Sequence, residues 1–189
     1  MRLAEARRIA EDLAAVVAPH CYEVCIAGSI RREKLDVKDL ELVVIPRWAE
    51  EAGTDLFGTP EPVNTLHRWA LAQKEVRWIK PGVPDVIDWT PKADGKYWRG
   101  ILANGLKLDL FLATQANWGA ILLIRTGSAD FSQAVVTQAK RIGKNCVDGH
   151  FTLNGERVET PTEQAVFDLL SLEYVRPPLR IGPESLRRA

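Results

Sequence analysis

At 189 residues the chain can bury a core as one compact domain or as two small subdomains. Its 25 basic and 25 acidic residues cancel, which excludes a global field drawing it onto nucleic acid. Cys21, Cys25 and Cys146 are too scattered for a disulfide framework and, with His20, His67 and His150 lying apart, for a paired zinc site. No apolar run approaches a membrane span, and the charged opening Met1-Arg2-Leu3-Ala4-Glu5 is not a signal peptide; a cytoplasmic protein with reduced thiols is expected.

Residues 3–18 place Leu3, Ala6, Ile9, Ala10, Leu13, Val16 and Val17 at helical spacing, ended by Pro19. Residues 22–26, short and rich in β-formers, read as a buried strand. The turn Ala27-Gly28-Ser29-Ile30-Arg31-Arg32 follows. Its backbone N–H groups, the Ser29 hydroxyl and the two arginines together suit a polyphosphate. Residues 40–45 form a second strand, closed by Pro46. Side chains two apart share a strand face, so Asp39 and Glu41 point together while Leu40, Leu42 and Val44 take the other side. Adjacent carboxylates repel unless a cation or proton sits between them, and two Mg²⁺ ions ~3.5–4 Å apart are the usual reason to build such a pair for phosphoryl chemistry. The plainer alternative is a tight turn with two solvated acids on an edge strand.

Residues 46–63, with Gly53, Gly58, Pro60 and Pro62, read as a long polar loop. Asn64 can cap a helix over 65–74, residues 75–79 read as a strand, and Lys80-Pro81-Gly82 as a turn. Residues 86–98 are β-like but broken by Pro91 and Asp94-Gly95, in the manner of an irregular hairpin. Asn104-Gly105 is a hairpin signal leading into a strand over 106–112. Leu108, Leu110 and Leu112 take one face there, and Lys107, Asp109 and Phe111 the other. An acid in so apolar a strand is costly unless paired or metal-bound. Asp109 is therefore a third carboxylate if this strand neighbours the one at 40–45, or else the partner of a Lys or Arg. Further on come Gly119 to Ser128, a helix over 128–142 with Phe131, Val135 and Ala139 on one stripe, and a hairpin through Asp148-Gly149 and Asn154-Gly155. A helix over 162–170 and the tail Tyr174-Val175-Arg176-Pro177-Pro178-Leu179-Arg180 end the pattern.

Gly28-Ser29-x-Arg31-Arg32 followed by Asp39-x-Glu41 resembles the signature of the nucleotidyltransferase superfamily, and within it that of the family X (polymerase β-like) DNA polymerases. The Thr126-Gly127-Ser128 turn after Asp109 matches in the same order, and the resemblance runs over about 5–180. It implies an α+β fold: a nucleotidyltransferase palm, a mixed or antiparallel sheet backed by helices, over 1–114, and a small α+β C-terminal subdomain over 115–189. Few residues precede Gly28, so the amino-terminal lyase and helix-hairpin-helix regions of larger members are not expected.

The resemblance further implies that Asp39, Glu41 and Asp109 hold two Mg²⁺ ions, with Mn²⁺ a possible substitute, Asp109 ligating only the catalytic one. Gly28, Ser29, Arg32, Arg125, Thr126 and Gly127 match positions around the nucleoside triphosphate, and Arg31 is as well suited to a structural salt bridge. Glu41 departs from the commoner aspartate, and Ile124-Arg125 stands where members often have an aromatic pair, which leaves sugar selection open. The family turn implies a cis peptide between Gly127 and Ser128. Lys140, Arg141, Lys144, Arg176 and Arg180 form the candidate DNA-binding set. The implied activity is transfer from a deoxynucleotide to a primer 3′-hydroxyl by a monomer, filling short gaps in weakly held DNA during repair. Two other readings stand beside it: nucleotidyl transfer to RNA, protein or a small molecule, and an inactive module that binds nucleotide or a partner.

Overall fold

The computed structural model describes residues 1–53, 57, 59–83 and 89–189. It is a mixed α+β fold with a mixed sheet backed by helices. Helix α1 (Leu3–Val17) turns Ala6, Ala10 and Val17 inward, as its apolar spacing requires. Strands β1 (Cys21–Ile26) and β2 (Asp39–Pro46) run antiparallel, joined through the single-turn helix α2 (Gly28–Arg31). Two elements of the span read as a loop are strands: β3 (Trp48–Ala52) and β4 (Pro60–Asn64) pair as an isolated antiparallel ribbon. Pro60 and Pro62 lack an N–H, and a two-stranded ribbon has a free edge on each strand where prolines cost no ladder bond. Turn-like composition and strand geometry are thus compatible here.

Helix α3 (Thr65–Ala72) is capped as expected, the Asn64 side chain accepting from His67 N at 3.0 Å. Strands β5 (Val76–Ile79), β6 (Tyr97–Leu102) and β7 (Lys107–Leu112) complete a five-stranded sheet in the order β1-β2-β7-β6-β5. The hairpin expected in 86–98 falls partly outside the described residues, and residues 89–96 hold no strand. β7 lies parallel to β2 and antiparallel to β6. Period two does the rest. Leu40, Leu42, Val44, Leu108, Leu110 and Trp98 pack with α1 and α3 on one face. Val43, Ile45 and Phe111 meet Trp118 and Leu122 on the other.

Those last two belong to α4 (Trp118–Thr126), a helix apolar nearly all round and therefore buried. With α5 (Ala129–Arg141), α6 (Glu163–Leu169) and the meander β8 (Lys144–Val147), β9 (His150–Leu153) and β10 (Glu156–Val158), it surrounds a second core built on Phe131, Val135, Phe151, Val166 and Phe167. The meander turns at Asp148-Gly149 and Asn154-Gly155 have positive φ at both residues, as two-residue hairpin loops favour. Among the described residues no helix is long and apolar enough to cross a membrane.

One backbone expectation fails. No peptide bond among the described residues is cis, so Gly127–Ser128 is trans. The trans turn meets its own polar needs: Gly127 N donates to Leu123 O at 3.0 Å and Ser128 N to Arg180 O at 3.0 Å, while Ser128 Oγ accepts from Phe131 N at 3.1 Å.

Candidate functional site

Parallel pairing of β2 with β7 puts Glu41 directly opposite Asp109, on the sheet face away from the α1 core. Asp39 and Glu41 are half-buried and Asp109 is buried. The Glu41 carboxyl is pushed up to about 7, by burial first and then by the charges of Asp39 and Asp109, against the pull of Arg32 and Arg125. Three acids therefore do share one field. Asp109, however, is engaged: Arg99 donates from Nε to Oδ1 at 2.7 Å and from Nη2 to Oδ2 at 2.8 Å, and Tyr97 OH donates to Oδ1 at 2.7 Å. The bond to Asp109 outweighs burial and raises the Arg99 pKa; burial and the same carboxylate raise that of Tyr97. Among the described residues no group of three or more Asp, Glu, His or Cys side chains stands ready to hold a metal ion.

The Gly28 turn is shaped around Glu41. Gly28 has φ +60°, and a Cβ there would lie 1.6 Å from Glu41 Oε2, so any other residue would be strained and would push the Glu41 carboxyl aside. The longer acid at position 41 thus reaches back over the turn. Beside it Ser29 is 9% exposed, and its Oγ has no hydrogen-bond partner. An unmet buried hydroxyl is uncommon and costly, and here it borders a cavity of about 240 Å³. Arg32, Lys34, Asp36, Lys38, Asp39, Glu41 and the Gly127-Ser128-Ala129 stretch also line that cavity. Arg32 Nη1 donates to the carbonyls of Gly127, at 3.0 Å, and Thr126, tying the turn to the end of α4. Burial lowers its pKa by more than Glu41 and Asp39 raise it. Lys34 and Lys38 escaped the sequence reading, although two lysines between a Gly-Ser turn and Asp39 are a charge signal of their own.

Arg31 faces the other way. It makes a bidentate pair with Glu163, at 2.7 and 2.9 Å, and donates to Thr126 Oγ1 at 2.8 Å. Thr126 is fully buried, so its side chain supports the turn and is closed off from any nucleotide. Arg180 must leave the DNA-binding set: it is 0% exposed and bonded to both Glu163 oxygens and to Val175 O. A tail rich in arginine looks like a surface patch, but the buried Glu163 draws this one inside. Lys140 and Arg141 are exposed in the last turn of α5, Lys144 opens β8 half-buried, and Arg176 is exposed in the tail.

Arg125 is exposed, with its guanidinium 4.1 Å from the centre of the Phe111 ring. Phe111 in turn stacks on Tyr97, centroids 4.9 Å apart and planes at 11°. These three wall a second cavity of about 500 Å³ that opens between the sheet and the meander, with Asn117, His150 and Arg157 opposite. An aromatic-lined cleft of mixed charge therefore lies beside Asp109, with Tyr97 between them.

Residues 121–181, from α4 through the meander and α6 into the tail, match the family model described as DNA polymerase beta thumb. No curated protein matches the chain. The matched span holds Arg125, Thr126, Gly127 and the Glu163–Arg180 pair, and it relates the chain to the family X, polymerase β-like enzymes.

Proposed function

We propose that the chain is a family X-like nucleotidyltransferase that adds a deoxynucleotide to a primer 3′-hydroxyl, with the palm in 1–114 and a thumb-like subdomain in 115–189. The observation that carries this reading is the juxtaposition of Glu41 and Asp109, in register on parallel strands, with the unpartnered Ser29 hydroxyl of the Gly28 turn. The three acids offer only oxygen donors and Glu41 feels both others, the donor type that Mg²⁺ or Mn²⁺ takes, but a shared ion would require Asp109 to leave its bonds to Arg99 and Tyr97. Asp39 and Glu41 would serve two ions and Asp109 one of them. When bound, such ions acidify an attacking hydroxyl and neutralise charge on the leaving pyrophosphate.

The remaining work falls to the chain's own groups. Gly28 makes room for the Glu41 carboxylate, Ser29 Oγ donates to a phosphate oxygen, and Arg32 with Lys34 and Lys38 balances the triphosphate charge. Arg125 presents one cation to nucleic acid in the adjoining cleft, whose wall Tyr97 and the buried Phe111 shape. Lys140, Arg141, Lys144 and Arg176 remain as weak phosphate contacts, as short-gap repair of DNA on both sides of a small protein would use.

A second reading, transfer to RNA, protein or a small molecule, is favoured by zero net charge and by the withdrawal of Arg180 into the core. Labelled deoxynucleotide offered with one-nucleotide-gapped, recessed and single-stranded primers separates the two. Gapped DNA should be extended best, and Asp109→Asn should abolish extension while leaving triphosphate binding in place. Near-normal turnover by Asp109→Asn would sink the two-metal reading; activity only on a non-DNA acceptor would establish the second.

A further inference from the structure

The tip of the β8–β9 hairpin is seated on the turn Gln115–Asn117 that leads into α4, and a histidine holds it there. Gly149, at the tip, has φ +77°, and a Cβ on it would lie 2.5 Å from Ile121 Cδ1 and 3.5 Å from Asn117 Nδ2, so the close approach depends on glycine. Next to it His150 Nε2 stands 3.3 Å from Asn117 Nδ2. The orientation of that amide is fixed from its other end. Thr114 N, which can only donate, and Thr114 Oγ1 both donate to Asn117 Oδ1, at 2.7 and 3.0 Å. The amide nitrogen therefore faces the ring, and Nε2 must accept. The His150 ring is thus neutral, with its proton on Nδ1.

We propose that His150 is a proton-operated latch: neutral, it holds the hairpin tip on the turn before α4, and protonated at Nε2 it lets the tip go. Protonation puts an N–H where the Asn117 amide already points its own, so an acceptor becomes a second donor and the bond is lost. Turning the buried amide over to answer it would strand the Thr114 N–H. Most charged neighbours act in the same sense. Burial, then Arg157 on β10 and Lys96 ahead of β6, push the His150 pKa below its ordinary value, against the pull of Asp148 in the hairpin turn. Arg125 on α4 and Asp94 face the same cavity. The other tie at the tip, the Lys96–Asp148 pair at 3.3 Å, is solvent-exposed on both sides and holds weakly. Asp148, Gly149 and His150 wall the cavity of about 500 Å³, so release of the tip in mild acid widens the cleft beside Asp109.

Two measurements on the whole chain test the latch. Nitrogen-15 spectra of the histidine rings at about pH 8, with the His150 signals identified by their loss in His150→Gln, should show the Nδ1–H tautomer; the Nε2–H tautomer overturns the proposal. Hydrogen exchange read by mass spectrometry, as protection factors over residues 144–153, follows the release. A group with a depressed folded pKa contributes stability that is present above its unfolded value and lost as pH falls through the folded one. Wild-type protection should therefore fall about two- to tenfold from neutral pH to about pH 4.5, the equilibrium worth of one hydrogen bond. His150→Gln, whose amide oxygen accepts from Asn117 at any pH, should stay level. Asn117→Asp should reverse the sign, because a carboxylate accepts from the protonated ring; should that variant not fold, the comparison with His150→Gln decides alone. Equal loss in wild type and His150→Gln overturns the latch, as does a loss that Asn117→Asp leaves unchanged.

Discussion

Glu163→Gln offers the sharpest test of how the two halves of the molecule are joined. Glu163 lies at the start of α6, buried, and carries two guanidinium groups: Arg31, from the Gly28 turn, and Arg180, from the tail. Burial alone would raise its pKa, but Arg180 and Arg31 overcome that and hold the carboxyl below its usual range. The two arginines are unequal. The Arg31 side chain is 22% exposed and can turn its charge to water; that of Arg180 is 0% exposed and cannot. Breaking a buried ion pair from one side costs about 3–5 kcal/mol, because a charge is left without compensation. For a chain of this size each kcal/mol moves Tm by about 2–4 °C, so Glu163→Gln should melt roughly 10 °C below the wild type. Urea unfolding at neutral pH gives the free energy directly. The double variant Glu163→Leu/Arg180→Met, which replaces the innermost pair with apolar groups, should recover most of the loss. A depressed carboxyl also contributes stability that is present above its unfolded pKa and disappears as pH falls through the folded one. The gap between wild type and Glu163→Gln should therefore close in acid. A loss under about 1 kcal/mol would refute the reasoning, since exposed pairs are worth no more than that.

The carboxylate pair at 39 and 41 and the Gly-Ser turn were legible because both follow from local rules, period two in a strand and a glycine where the chain turns. The parallel neighbour relation of β2 and β7 is a tertiary fact, so Asp109 could be suspected but not placed. Its partner was nearer to hand than it looked. Counting outward from the Asn104-Gly105 turn, Arg99 and Asp109 are equidistant from Asn104, which is the register found. That count needs the loop to be three residues with Gly105 in the left-handed region, where it has φ +82°. Helix α4 was missed for another reason: apart from Arg125 it has no exposed polar face, and a helix apolar nearly all round has no period to detect. Arg180 shows the limit most plainly. A count of charges records that an arginine is present, and only packing shows that Glu163 has drawn it into the core.

Three further outcomes follow from the site. Arg32→Ala should weaken triphosphate binding about ten- to a hundredfold, the value of one charge-assisted hydrogen bond, as read by calorimetry; an effect confined to the acceptor would mean that the phosphates lie elsewhere. Charge reversal at Lys140 and Lys144 should weaken gapped DNA and spare nucleotide, and fluorescence anisotropy across salt should give a wild-type slope of magnitude roughly 3–4 for four phosphate contacts, now that Arg180 is withdrawn. Tight, salt-insensitive binding would show that the basic patch is misplaced. Glu41 supplies the pH dependence. Its folded value of about 7 lies above the ordinary carboxylate value near 4.3, so the folded state holds the proton more tightly. Its contribution to stability is therefore complete below about pH 4.3 and is lost as pH rises through 7. Metal-free wild type should lose urea resistance across that window, and Glu41→Gln should not. Mg²⁺ should restore the loss at pH 8 and do little at pH 5, where the acid is neutral and offers no charge to a cation. A wild-type midpoint that stays flat from pH 5 to 8 without metal would mean that the three carboxylates do not share one field.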